Sequence, residues 1–164
     1  MREIAMVENE DHEGPCECGA EEACRPLWYE ALAEEQIDAV LGQWHNPLVC
    51  IFALQHRSMF REKFADGQFR FLQLFVERGP GAVNAVARSL RKKNKGAGVD
   101  LEAPELLAYE GIGAADFPAG FALSMRHLRT AEGDFLADGY DAYGERMVEL
   151  AVATLQAWRD ARRS

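Results

Sequence analysis

Residues 46–60, NPLVCIFALQHRSMF, decide the fold. Asn46 is a good helix-capping residue, and Pro47 suits the first helical turn, where its missing N–H would be unpaired in any case. The following LVCIFAL, residues 48–54, offers no polar face. A short apolar run fits a buried strand as well as a buried helix, but the cap signal and the length through Phe60 favour the helix. A helix that is apolar on every side has to be surrounded by the rest of the protein, so this segment is expected at the centre.

Upstream, Pro26 opens a helix directly after Cys24, and Leu27, Ala31, Ile37, Val40, Leu41 and Trp44 recur at largely helical spacing, with the end expected at Gly42 or just beyond. Downstream, a helix starting near Asp66 carries Phe69, Leu72, Phe75 and Val76 on one stripe and stops at Gly79-Pro80. Val83, Val86, Ala87 and Leu90 resume the pattern over residues 81–92. From Lys92 to Pro118 the composition turns to glycine, proline, lysine and scattered acids, a partly ordered excursion too short for a second domain. The last segment has the plainest periodicity, with Tyr140, Tyr143, Met147, Leu150, Ala151, Leu155 and Trp158 three and four apart and arginines 159, 162 and 163 at its end. No internal repeat and no Asn-Gly hairpin signal occurs. The expectation is an all-α, compact bundle of about five or six helices. Residues 14–164 read as a single helical domain carrying a Cys cluster in its N-terminal loop, preceded by an acidic flexible arm over residues 1–13.

The 164 residues are 48% hydrophobic and 27% charged, enough for one sizeable core. No apolar run approaches the roughly 20 residues that span a bilayer, and MREIAMVENEDHEG lacks the basic-then-apolar order of a secretory signal. A cytoplasmic protein with no membrane partner is therefore expected. Net charge is −9, and residues 1–35 alone hold eleven acids against Arg2 and Arg25. Residues 57–95 carry ten bases against three acids, so the acidic beginning and the basic middle are expected to attract each other within the monomer. The cluster RSLRKKNK at 88–95 suggests nucleic acid, but cations at a helix end also meet the negative end of the macrodipole, and the overall sign opposes a polyanion partner. The aromatic side chains of the last helix suit either a core face or a homodimer surface.

Three of the four cysteines sit in PCECGAEEAC, residues 15–24. In a chain without a secretory signal, close thiols are more often metal ligands or redox groups than disulfides. Cys16 and Cys18 can reach one tetrahedral ion if a tight turn follows, and Gly19 supplies the backbone freedom for it. Cys24 precedes a helix, where the positive dipole end favours thiolate. A closed site needs one more ligand. The first two long helices should pack antiparallel, which brings His56 back toward the thiols and leaves His45 roughly 25 Å away. His12 lies in the arm, and His127 has no place fixed by sequence. Cys50, inside the apolar run, reads as a small buried hydrophobe. Gln55-His56 reads equally as a satisfied polar pair at a helix end.

CECGA (16–20), Cys24 before an aromatic helix, WHNPLVCIFALQH (44–56), FLQLFVERG (71–79) and LAVATLQAW (150–158) together resemble a bacterial domain-of-unknown-function family of small proteins. Its members have an N-terminal Cys motif, a central helix ending in Gln-His and a C-terminal helix with a Trp motif. The resemblance spans Cys16 to Trp158 and implies no activity. The chain departs from it in two places: Pro15 stands where the first cysteine of C-x-x-C-G would be, with Cys16 one step later, and Arg57 replaces the proline that commonly follows Gln-His. His45 matches a family position.

The leading expectation is a non-enzymatic helical protein with one structural zinc on Cys16, Cys18, Cys24 and His56. The alternative is a metal-dependent enzyme, a hydrolase or thiol transferase with an open zinc position and His45, His127 or Glu110 as general base. An iron-sulfur centre recruiting Cys50 is the third. No HExxH, GxSxG, P-loop or dinucleotide fingerprint occurs, so no nucleotide cofactor is expected.

Overall fold

The computed structural model describes residues 14–93 and 103–162. The acidic arm expected over residues 1–13 therefore lies outside the described residues. In chain order come α1 (Arg25–Ile37), a 3-10 turn (Leu41–Trp44), α2 (His45–Gln55), α3 (Glu62–Lys93), α4 (Pro104–Leu107), a second 3-10 turn (Met125–Leu128) and α5 (Tyr140–Ala161). Among the described residues there is no strand, and no helix is long and apolar enough to cross a membrane. The fold is all-α.

α2 occupies the centre, as its sequence requires. Pro47, Leu48, Cys50, Ile51, Phe52, Ala53, Leu54 and Gln55 are all buried, so every side of the helix after its first turn faces protein. α1 lies antiparallel to it. Trp28 stacks on Phe52 with centroids 4.2 Å apart, and toward the other end Glu35 meets His45 at 2.7 Å. α5 closes over α2 from a third side. Trp158 Nε1–H donates to the Leu54 carbonyl at 2.9 Å, and Gln55 Nε2–H reaches Thr154 Oγ1 at 3.0 Å. The buried polar tips of Trp158 and Thr154 are thereby matched to polar groups of α2, and the apolar body of the indole contributes area.

The helix ends differ from expectation for local reasons. α1 stops at Ile37 rather than near Gly42, because Asp38 turns extended (φ −117, ψ 103) and its Oδ1 accepts the Val40 N–H at 2.9 Å. Trp44, not Asn46, precedes α2, and Asn46 instead donates across to Asn84 Oδ1 at 2.9 Å. α2 ends at Gln55 rather than Phe60, where His56 becomes extended (φ −124, ψ 110). α3 starts at Glu62 and is broken at the expected Gly79-Pro80, with Gly79 at φ 80, a left-handed conformation that glycine alone adopts without strain. Tyr140 at the start of α5 is 40% exposed and lies off the core stripe.

Tyr143, Met147, Leu150, Ala151, Leu155 and Trp158 are buried, so the aromatic residues Tyr143 and Trp158 belong to the core. Nor do the described acids of the beginning pair with the basic middle. Glu22 and Glu30 form ion pairs with Arg126 and Arg129, which clasp the second 3-10 turn against α1.

Leu150 is fully buried on the inner face of α5, so Leu150→Ala is expected to destabilise the protein by about 2 to 4 kcal/mol in denaturant titrations. A change of only a few tenths would show that this face packs against nothing.

Candidate metal centre

The N-terminal loop is built around a tight turn. Gly19 N–H donates to the Cys16 carbonyl at 2.9 Å, and Cys16 N–H donates to the Ala20 carbonyl at 2.8 Å. Gly19 sits at φ 93, where a side chain would be strained, and this conformation folds the Cys16 and Cys18 side chains toward one point. Two further bonds hold the loop in place. Phe121 N–H reaches the Cys18 carbonyl at 3.3 Å, and the Glu17 carboxylate accepts from the backbone N–H of Ser58 at 3.2 Å and from its hydroxyl. Ser58 lies two residues past His56, so Glu17 pins the cysteine loop to the segment that carries the histidine. Cys24 stands at the N-terminal end of α1, its carbonyl accepting the Trp28 N–H at 2.9 Å and its thiol making no cap bond.

His56 enters from the end of α2. Its Nδ1 lies 2.8 Å from the Phe52 carbonyl, and since a carbonyl only accepts, Nδ1 carries the proton. The lone pair is then on Nε2, which is buried and has no hydrogen-bond partner. The ring is held flat as well as oriented. It stacks on Phe52 at 4.0 Å, and Phe52 stacks in turn on Trp28. Metal-bound histidines commonly have this arrangement, one ring nitrogen fixed by a carbonyl and the other left free.

The ligating atoms of Cys16, Cys18, Cys24 and His56 all lie within 4.8 Å of one another. Cys18 and Cys24 are 3.6 Å apart, close to the ~3.8 Å that separates two sulfurs around a tetrahedral zinc with 2.3 Å bonds. Cys18, Cys24 and His56 are buried and Cys16 is half-buried. The thiols form an unequal pair. The hydrogen bond from Cys24 holds the Cys18 thiol down to about 4, and that same bond, then burial, pushes Cys24 up. The first proton leaves easily and the second is opposed, because two thiolates would face each other away from water. A cation between them removes that opposition.

The other candidates lie elsewhere. Cys50 does not join this group, and burial pushes its thiol up to about 12. His45 binds Glu35, and because α1 ends early it stands beside a residue roughly 16 Å along the helix from Cys24, nearer than the estimate from sequence but still remote. His127 Nε2 pairs with Glu149 at 2.5 Å, and Glu110 with Arg159 at 2.9 Å and Arg162 at 3.5 Å. His12 lies outside the described residues. Sequence reading missed the supporting groups, namely Phe52, Glu17 and Ser58. Only Phe52 left a signal, standing four residues before His56 on the same helical face.

The family described as Family of unknown function (DUF5946) matches residues 13–159. The chain belongs to the DUF5946 family. No curated protein and no solved structure matches it. The matched span contains all four members of the cluster, so in this DUF5946 chain the functional reading rests on the site itself.

The environments of the four thiols differ enough to be read chemically. In chelator-treated protein Cys16 is expected to alkylate readily and Cys50 only on unfolding, as followed by mass spectrometry of iodoacetamide adducts. Prompt labelling of Cys50 in the folded state would contradict its placement.

Proposed function

We propose that Cys16, Cys18, Cys24 and His56 hold one zinc ion, and that the ion is structural, fastening the N-terminal loop to the start of α1 and the end of α2. The observation that carries this reading is the unpartnered, buried Nε2 of His56 in a group whose four ligating atoms lie within 4.8 Å. A buried ring nitrogen without a partner costs about 1 to 3 kcal/mol unless something else binds it. Three sulfurs and one imidazole suit zinc, a tetrahedral ion with no redox demand, better than harder cations that prefer oxygen.

Four protein ligands close the coordination sphere. A catalytic zinc would need an open position and a base beside it, and each base named from sequence is engaged in another ion pair. An iron-sulfur centre would need Cys50, which stays outside the group. Reduced cysteines at this spacing accord with a reducing compartment such as the cytoplasm. In this reading residues 14–164 act as one domain whose folding includes metal binding.

Metal analysis of protein purified without added metal is expected to give one zinc per chain. Cys18→Ser should lose most of that zinc and lower the melting temperature by roughly 4 to 12 °C, which corresponds to about 2 to 3 kcal/mol in a chain this size. Cys50→Ala and His45→Gln should keep the zinc. Full metal and unchanged melting in Cys18→Ser, with loss of both in His45→Gln, would refute the assignment.

A further inference from the structure

At the opposite end of the α1–α2 pair is a second polar site. Glu35 is a buried acid, with only 8% of the residue exposed. Its Oε2 accepts from His45 Nδ1 at 2.7 Å, while Oε1 is buried without a partner. The His45 side chain is half exposed, and with Nδ1 committed its Nε2 remains for a ligand. Both residues line a cavity of about 370 Å³ that α3 completes with Asn84, Arg88 and Arg91.

These three residues of α3 are four and three apart and so share one helical face. The wall is rigid where it meets α2. Asn84 Nδ2–H donates to the Gln43 carbonyl at 2.9 Å, and Asn84 Oδ1 accepts from Asn46 at 2.9 Å. Neither Arg88 nor Arg91 pairs with an acid among the described residues, although the only acid lining the cavity, Glu35, is already bonded to His45. Two guanidinium groups thus stand at the mouth, an imidazole at the wall, and a buried carboxylate behind the imidazole.

We propose that this cavity binds a small phosphomonoester, its phosphate oxygens taken by Arg88 and Arg91 and its adjoining polar group by His45, whose ring Glu35 holds in place. Guanidinium forks match phosphate oxygens in pairs. The volume lies in the range of small-molecule sites, and a concave pocket with a buried carboxylate behind a half-exposed imidazole fits a discrete molecule better than a polyanion lying across the surface. The site is independent of the cysteine cluster and of the ion proposed there.

The test is titration of the protein as purified with inorganic phosphate, phenyl phosphate and acetate at matched ionic strength, following the His45 ring resonances by NMR. Phenyl phosphate is expected to give saturable shifts, weakened at least tenfold in Arg88→Gln/Arg91→Gln. Both arginines are exposed, so melting temperature and metal content should not change in that variant, and this separates failure here from failure of the zinc reading. In Glu35→Gln the ring loses its charged anchor, and affinity should fall without loss of the arginines. Shifts that never saturate, equal affinity in the double variant, or acetate binding as tightly as phenyl phosphate would overturn the proposal. So would a short oligonucleotide that binds more tightly than phenyl phosphate through the same arginines.

Discussion

The hydrogen bond from His56 Nδ1 to the Phe52 carbonyl is the contact on which the candidate metal centre depends. α2 is surrounded by protein, so the carbonyls at its end take their partners from within the chain. The Phe52 carbonyl, which already accepts the His56 backbone N–H at 3.1 Å, takes the imidazole as a second donor, and the Leu54 carbonyl takes the indole N–H of Trp158. The first bond leaves Nε2 among three thiols. The second docks α5 on the core. The buried end of α2 thus anchors both the imidazole of the site and the last helix.

The cysteine loop has no comparable support of its own. It is held by one tight turn, by Phe121 N–H on the Cys18 carbonyl and by Glu17 on Ser58, and its largest buried groups are the thiols Cys18 and Cys24 themselves. Burying two sulfurs 3.6 Å apart favours one thiolate and opposes the second. A divalent ion reverses that balance, since both sulfurs then face positive charge. Under the proposed zinc assignment, ordering of the loop and filling of the site would for this reason be one equilibrium rather than two.

Much of this was legible in the residues, and the parts that were not have physical causes. An apolar run without a polar face could only be central, and antiparallel packing of two short-linked helices was enough to choose His56 over His45. The helix ends were hidden because side chains set them: Asp38 stops α1 by bonding the Val40 N–H, and His56 leaves α2 with its ring on Phe52. Asn46 looked like a cap because its bond to Asn84 is a contact 38 residues away, beyond what local pattern reports. Glu35 was counted only as one of the eleven acids of residues 1–35. Yet it follows Leu27 and Ala31 by eight and four residues, on the buried stripe of α1, and that spacing marks it as an acid facing inward.

The break at Gly79 links these two ends of the molecule. Before it, α3 buries Phe69, Leu72 and Phe75 in the common core; after it, the helix presents Asn84 to Gln43 and Asn46 at the start of α2. Left-handed backbone at Gly79, with Pro80 free of any need for a donor at the first position beyond, lets the chain change course without leaving a buried N–H unpaired. Because Asn84 is then fixed by two hydrogen bonds, the residues one and two turns further along the same face have fixed positions as well. Arg88 and Arg91 stand where they do because of a glycine nine residues before the first of them, and the polarity of that cavity follows from backbone geometry as much as from the charges that line it.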